Sequence, residues 1–156
     1  LGREPGRKFI GMNIVDSILS RQMAAEHLKK LHIEVKSVDQ NVENLSGGQA
    51  QAVAIARSTA FNSRVVVMDE PTAALAIKEV GKVLDLIKNL KQQGVSVILI
   101  SHRLDDVFYV CDRVMSLFHG KNFEEAPLAK TNRNEVIGWL MGTRGHTKSL
   151  AHDRID

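Results

Sequence analysis

Apolar residues follow two patterns along this chain. In the first they recur every three or four positions. Ile14, Ile18, Leu19, Met23, Leu28 and Leu31 predict a helix over residues 13–31, and Val80, Val83, Leu84, Ile87 and Leu90 predict an amphipathic helix over residues 80–91. Gly94 is placed to cap the second helix at its C-terminus. Shorter helices are expected over residues 49–60, where alanines accompany Val53 and Ile55, and over 103–110 and 134–141. In the second pattern the apolar run is unbroken: Val65-Val66-Val67-Met68, then Val95-Ser96-Val97-Ile98-Leu99-Ile100. Runs of this kind fit strands buried on both faces, as in a parallel sheet. A third strand is expected over residues 113–118, ended by His119-Gly120. Residues 1–13, rich in Gly, Pro and Arg, read as a loop, and residues 32–45 read as a connection.

Strand, helix, strand, helix, strand predicts an α/β fold with a mostly parallel sheet and right-handed crossovers. The expected organisation is a helical part over residues 1–60, an α/β core part over 61–142 and a polar tail over 143–156. The length, 156 residues, suits one domain, and 44% hydrophobic residues supply a core. The formal charge is +3 with no dense Lys/Arg tract, and aromatics make up only 4% of the chain. Neither feature points to nucleic acid, so no such partner is expected. Cys111 is the single cysteine, which precludes an internal disulfide and fits a reducing cytosol. No segment approaches the roughly 18 apolar residues of a membrane span. The first residues, Leu1-Gly2-Arg3-Glu4-Pro5, lack both a Met start and signal-peptide character, so the chain is expected to be the inside of a longer protein.

Three places carry candidate chemistry. The first apolar strand runs into Asp69-Glu70-Pro71. The carboxyl end of a parallel strand is where open α/β sheets bind ligands. An Asp there suits hydrated Mg2+, and a neighbouring Glu can orient and deprotonate a water. The same residues also fit a plain strand-to-turn boundary. Leu45-Ser46-Gly47-Gly48-Gln49 precedes a helix: Ser46 can cap it, and Gly47 and Gly48 let an anion approach the amides at its positive end. An ordinary Ser-Gly-Gly turn reads the same way. His102, after the second apolar strand, could donate to a terminal phosphate or simply enter the next helix.

Taken in order, the three are far more specific than apart. Leu45 to Gln49 is identical to the signature sequence of ABC ATPases, Val65 to Glu70 resembles their Walker B strand with Pro71-Thr72 continuing it, and Ser101-His102 looks like their switch-histidine motif. Asp112-Arg113-Val114 and Gly120 match the family's closing strand. Gly2-Arg3-Glu4, Pro71-Thr72-Ala73-Ala74-Leu75 and Met141-Gly142 resemble monosaccharide-import ATPases in particular. The resemblance implies the C-terminal part of a P-loop NTPase domain, with a small helical subdomain beside the sheet. It implies ATP and Mg2+ as ligands, with Asp69 holding the metal through water, Glu70 as general base and His102 at the γ-phosphate. Ser46, Gly47, Gly48 and Gln49 would serve ATP held by a second, head-to-tail ATPase domain. Further implied partners are membrane permease subunits and, indirectly, a periplasmic sugar-binding protein, at the cytoplasmic face of a bacterial inner membrane. The same motifs also occur in soluble ABC-type ATPases of DNA repair or translation.

The chain departs from that pattern in three respects. The phosphate loop G-x-x-x-x-G-K-[ST] is absent; Gly6 and Gly11 have its spacing, but Met12-Asn13 follow. The isolated chain is therefore expected to be inactive, which also leaves a non-catalytic remnant as a reading. Ala76 stands where the family often has Asp, in a loop that communicates between paired sites. Ala50 stands where Arg, Lys or Gln usually follows the signature. Elsewhere, His27 and His32 are five apart and do not share a helix face for a metal. Cys111 reads as a small buried residue.

Overall fold

The computed structural model of the chain describes residues 6–9, 12–61 and 63–143. They belong to two compact units, Leu1–Ile100 and Ser101–Asp156. Gly2-Arg3-Glu4 and, beyond Thr143, the expected polar tail lie outside the described residues.

The first unit opens with a two-stranded antiparallel ribbon, β1 (Gly6–Phe9) and β2 (Met12–Val15), in a stretch whose composition predicted a loop. A backbone ladder between two short strands needs no apolar alternation, so composition hid it. The ribbon also shortens the first helix. Asp16 caps it, accepting from Leu19 N–H at 3.0 Å, and α1 runs Ser17–Lys30. None of its residues is fully buried, and its expected apolar stripe is largely exposed, with Ile18 67% accessible. A 3-10 turn (Val42–Asn44) leads to α2 (Gly47–Thr59). His27 ties the two helices together: its Nε2–H donates to the Ala56 carbonyl at 2.9 Å.

β3 (Val65–Asp69) and β4 (Ser96–Ile100) pair in parallel, Val65 opposite Ser96 and Asp69 opposite Ile100. Between them runs α3 (Ile77–Gln92), whose expected stripe is the centre of the core: Val83 and Leu90 are inaccessible, and Ile87 nearly so. Burying each such side chain stabilises by about 1.5–3 kcal/mol. Gly94 ends α3 as its sequence position predicts. With φ +82° it lets its own N–H reach the Lys91 carbonyl and that of Val95 reach Leu90, a pairing that satisfies two orphan carbonyls. At the other end Ala76 occupies the N-cap and supplies no side-chain cap.

Burial on both faces of the parallel pair is not observed. Val66 and Met68 are buried, whereas Val65, Val67, Ile98 and Ile100 are each at least half exposed. One side of the pair carries the core; the other is an apolar face open to solvent.

The second unit contains α4 (Leu104–Val110), β5 (Arg113–Phe118), β6 (Lys121–Pro127), a 3-10 turn (Leu128–Lys130) and α5 (Arg133–Leu140). The expected third strand is present, but its partner among the described residues is β6, in an antiparallel hairpin. His119 (φ +49°) and Gly120 (φ +74°) make the turn, both in the left-handed region that a two-residue hairpin link requires. Parallel pairing is thus confined, among the described residues, to β3 and β4. Asn132 and Glu135 form a capping box at the start of α5, which buries Val136 and Trp139. Cys111 is half-buried.

Candidate functional site

The turn at Ser46 is fixed by its own residues. Ser46 has extended backbone at the N-cap of α2, and its Oγ accepts from Gln49 N–H at 3.3 Å. Gln49 reaches back, its Oε1 accepting from Ser46 N–H at 3.1 Å, and its Nε2 donates to the Glu34 carbonyl at 3.1 Å. This capping box begins α2 two residues earlier than the alanine pattern suggests, so Gly47 and Gly48 are helical rather than loop residues. Ser46 and Gly47 are exposed, and Gly48 is buried. The positive end of α2 thus begins at an exposed turn, a favourable place for an anion.

The Glu79 side chain, in the first turn of α3, packs against the turn at Ser46: a Cβ added to Gly48 would lie 2.8–3.1 Å from its Cβ, Cγ and Cδ. The Ser46 hydroxyl foremost, then the Gly48 and Ala76 N–H groups, with Lys82 nearby, hold its pKa below the ordinary 4.5. Beside this contact opens a cleft of about 730 Å³, lined among others by His32, Glu34, Ser46, Gln49, Glu79 and Lys82. No local pattern singles out Glu79, which reads in sequence as an acid in a helix's first turn. Only packing of α3 on α2 brings it to the turn.

Asp69 and Glu70 stand together at the carboxyl end of the parallel pair. Asp69 is the last residue of β3 and is exposed. Glu70 extends the ladder by one bond, its N–H donating to the Ile100 carbonyl at 2.9 Å, and then turns the chain sharply with φ +45°. For a residue with a Cβ that conformation costs about 1–2 kcal/mol. Strain of this sort gathers where a side chain must be aimed. Glu70 is half-buried, with Oε2 shielded from solvent. Thr72, 1% exposed, anchors the turn that follows. The donor set at Asp69 is hard carboxylate oxygen. That matches a cation which takes one or two carboxylates and completes its shell with phosphate and water, as Mg2+ does.

His102 belongs to the second unit. It is exposed and lies in the short link between Ile100 and α4. Next to it, the Ser101 hydroxyl accepts from Arg103 N–H at 3.0 Å, and Arg103 pairs at 3.1 Å with the buried Asp106.

A family profile described as ABC transporter matches residues 11–73, which include the turn at Ser46 and the acid pair. The chain is 37% identical over 142 residues to the ribose import ATP-binding protein RbsA of Chromobacterium violaceum, covering 91% of this chain and 28% of that protein. It is 39% identical over 133 residues to the xylose/arabinose import ATP-binding protein XylG of Sulfolobus acidocaldarius, covering 82% of this chain and 53% of that one. The chain belongs to the ABC transporter family of ATP-binding domains. Its fold is that of the ABC ATPase cassettes, which are P-loop NTPases. The dimeric, ADP- and Pi-bound cassette MJ0796 superposes with a TM-score of 0.61 at 32% identity, over 74% of this chain and 50% of that one. The chain therefore spans between about a quarter and a half of the ABC proteins it matches. Within it, the segment that resembles the ABC signature is the capped start of α2, and the one that resembles Walker B is β3 with its acid turn. No helix among the described residues is long and apolar enough to cross a membrane.

Proposed function

We propose that this chain is the part of an ABC ATPase that carries the signature turn and the hydrolytic acids, and that the intact protein hydrolyses ATP to drive monosaccharide import. The observation that carries this reading is a capped helix start at Ser46 in the same unit as a strained Glu70 at the end of a parallel strand. The names of the sugar-import relatives support the transport role. In this reading residues 1–60 form the helical subdomain and 61–142 part of the catalytic core, with 143–156 as a tail.

Asp69 would hold Mg2+ through water, and the metal, when bound, would neutralise phosphate charge. Glu70 takes the proton of the attacking water. His102 would donate to a γ-phosphate. Ser46, Gly47 and Gly48, with Gln49 nearby, receive the γ-phosphate of ATP held by a second ATPase domain arranged head to tail. Catalysis is then positioning and charge neutralisation, which is what phosphoryl transfer asks of a protein. Permease subunits in the membrane, fed by a periplasmic sugar-binding protein, would convert closure and release of the paired domains into transport, with the ATPase at the cytoplasmic face. Nucleotide grip requires a phosphate loop that these 156 residues do not contain, so the chain alone is expected to be inactive.

The test uses the full-length protein. Glu70→Gln should lower ATP turnover by roughly 10²–10⁴-fold, the range of a general base. Near-normal turnover would remove Glu70 from that role. Co-purification with a membrane permease supports transport, and its consistent failure favours a soluble ABC ATPase.

A further inference from the structure

Gln49 engages both ends of its side-chain amide within the chain. Its Oε1 accepts from Ser46 N–H at 3.1 Å, which closes the capping box. Its Nε2 donates to the Glu34 carbonyl at 3.1 Å, a bond that no capping box requires. That carbonyl belongs to the segment after α1, which is itself anchored. Leu31 is buried, and His32 takes the left-handed position beyond the helix end with φ +57°, where Ile33 N–H returns to the Leu28 carbonyl at 2.9 Å. Glycine is the usual residue at such a position, and a histidine is strained there. Its imidazole has a partner that glycine would lack. Asn89 Oδ1 accepts from Gln93 Nε2 at 2.8 Å, so Asn89 Nδ2 is the group that faces His32, and it donates to His32 Nδ1 at 3.0 Å. Hydrogen bonds thus link Ser46 to Gln49, Gln49 to the 32–34 segment, and that segment to α3, the helix that follows the acid turn.

We infer that Gln49 is a positioning residue: it acts on the partner domain's ATP by holding Ser46 in place rather than by touching the nucleotide, and the 32–34 segment, tied to α3 by His32, is the brace that holds Gln49. The inference rests on the reading of Ser46 given above. The N–H that Gln49 binds belongs to the residue whose hydroxyl would meet the phosphate, so the bond fixes that residue's backbone. The Glu34 bond fixes the Gln49 side chain in turn. Without it a half-buried glutamine would sample several rotamers and make the Ser46 bond only part of the time. A phosphate donor misplaced by about 1 Å loses much of its effect, so the brace bears on function as well as on folding. All of these residues lie in the first unit.

The experiment is ATP trapping in the full-length protein, with hydrolysis blocked by Glu70→Gln and retained radiolabelled ATP measured against ATP concentration. Gln49→Met keeps the length of the side chain and removes both hydrogen bonds. It should raise the half-saturating ATP about three- to tenfold where Ser46 is present, and less than about twofold in a Ser46→Ala background, where nothing is left to position. Equal rises in both backgrounds mean that Gln49 touches the nucleotide itself and overturn the inference, as does no rise in either. Ser46→Ala alone separates the two levels of the argument. If it weakens trapping while the Gln49→Met effects multiply with it, only the positioning role falls. If it leaves trapping intact, the assignment of Ser46 to phosphate falls as well. His32→Gly tests the brace away from the turn. Glycine suits φ +57°, so the urea midpoint should hold or rise, while loss of the Asn89 bond raises the half-saturating ATP about two- to threefold. An unchanged half-saturation in this variant overturns the brace.

Discussion

Gly48 packs directly against Glu79: a Cβ added to the glycine would come within 2.8 Å of the glutamate Cβ. Glu79 Cβ is fixed to the backbone of α3 and cannot swing aside. Gly48→Ala must therefore push α2 away from α3, an overpacking that costs about 1–3 kcal/mol. Gly47→Ala meets Leu75 Cδ2 at 3.4 Å and Glu79 Oε2 at 3.7 Å, both ordinary contacts, and should change stability by less than about 1 kcal/mol. Urea unfolding of the two variants is expected to separate them in that order. Both should impair ATP turnover of the full-length protein, Gly47→Ala by adding a methyl group at the exposed turn proposed to receive phosphate and Gly48→Ala by displacing the start of α2.

The Glu79 carboxyl gives the account a signature in pH. The Ser46 hydroxyl, then the Gly48 N–H, hold its pKa below 4.5, with Lys82 assisting and partial burial opposing. Because folding lowers this pKa, the contact contributes its full stabilisation above the unfolded value and loses it as pH falls through the folded one. A 13C NMR titration of the side-chain carboxyl should give a midpoint below 4.5 that rises in Ser46→Ala. Its other charged neighbours around the cleft, Glu34, Asp85 and His32, remain in both proteins, so the difference reports the hydroxyl. A midpoint at or above 4.5 in the parent protein contradicts the contact.

The open face of the β3–β4 pair predicts opposite behaviour for the fragment and the whole protein. Val65, Val67, Ile98 and Ile100 form an apolar patch of the kind that drives association. The 156-residue chain alone should self-associate, and Ile98→Lys should reduce that, as read by light scattering. In the full-length protein, where the remaining cassette is expected to cover this face, the same substitution buries a charge and should destabilise folding by several kcal/mol. Equal tolerance in both settings would mean that the face stays open.

Much of this was legible in the sequence because it is local. The stripe from Val80 to Leu90, the cap at Gly94 and the capping serine of α2 are each specified by residues within a turn or two of one another. The apolar runs of β3 and β4 gave their parallel partnership through the helix between them. What escaped depends on distant partners. The β1–β2 ribbon and the β5–β6 hairpin are backbone pairings with weak side-chain patterns. The exposure of Val67 and Ile98 depends on what lies across the sheet, which a run of β-branched residues does not encode. Of the site, Ser46, Asp69 and Glu70 were visible as motifs. The left-handed turn at Glu70 and the clasp of Glu79 on the start of α2 were not, because both arise from packing.

At the centre stands the claim that Ser46 and Glu70 of one chain serve two different nucleotides. A crystal structure of the full-length Glu70→Gln protein with Mg2+ and ATP tests it directly. The account predicts one γ-phosphate within about 3 Å of the Ser46 hydroxyl of one domain, with residues 69 and 70 of the opposite domain flanking the same phosphate. A γ-phosphate held by Ser46 and residue 70 of the same domain, or by neither, would contradict it.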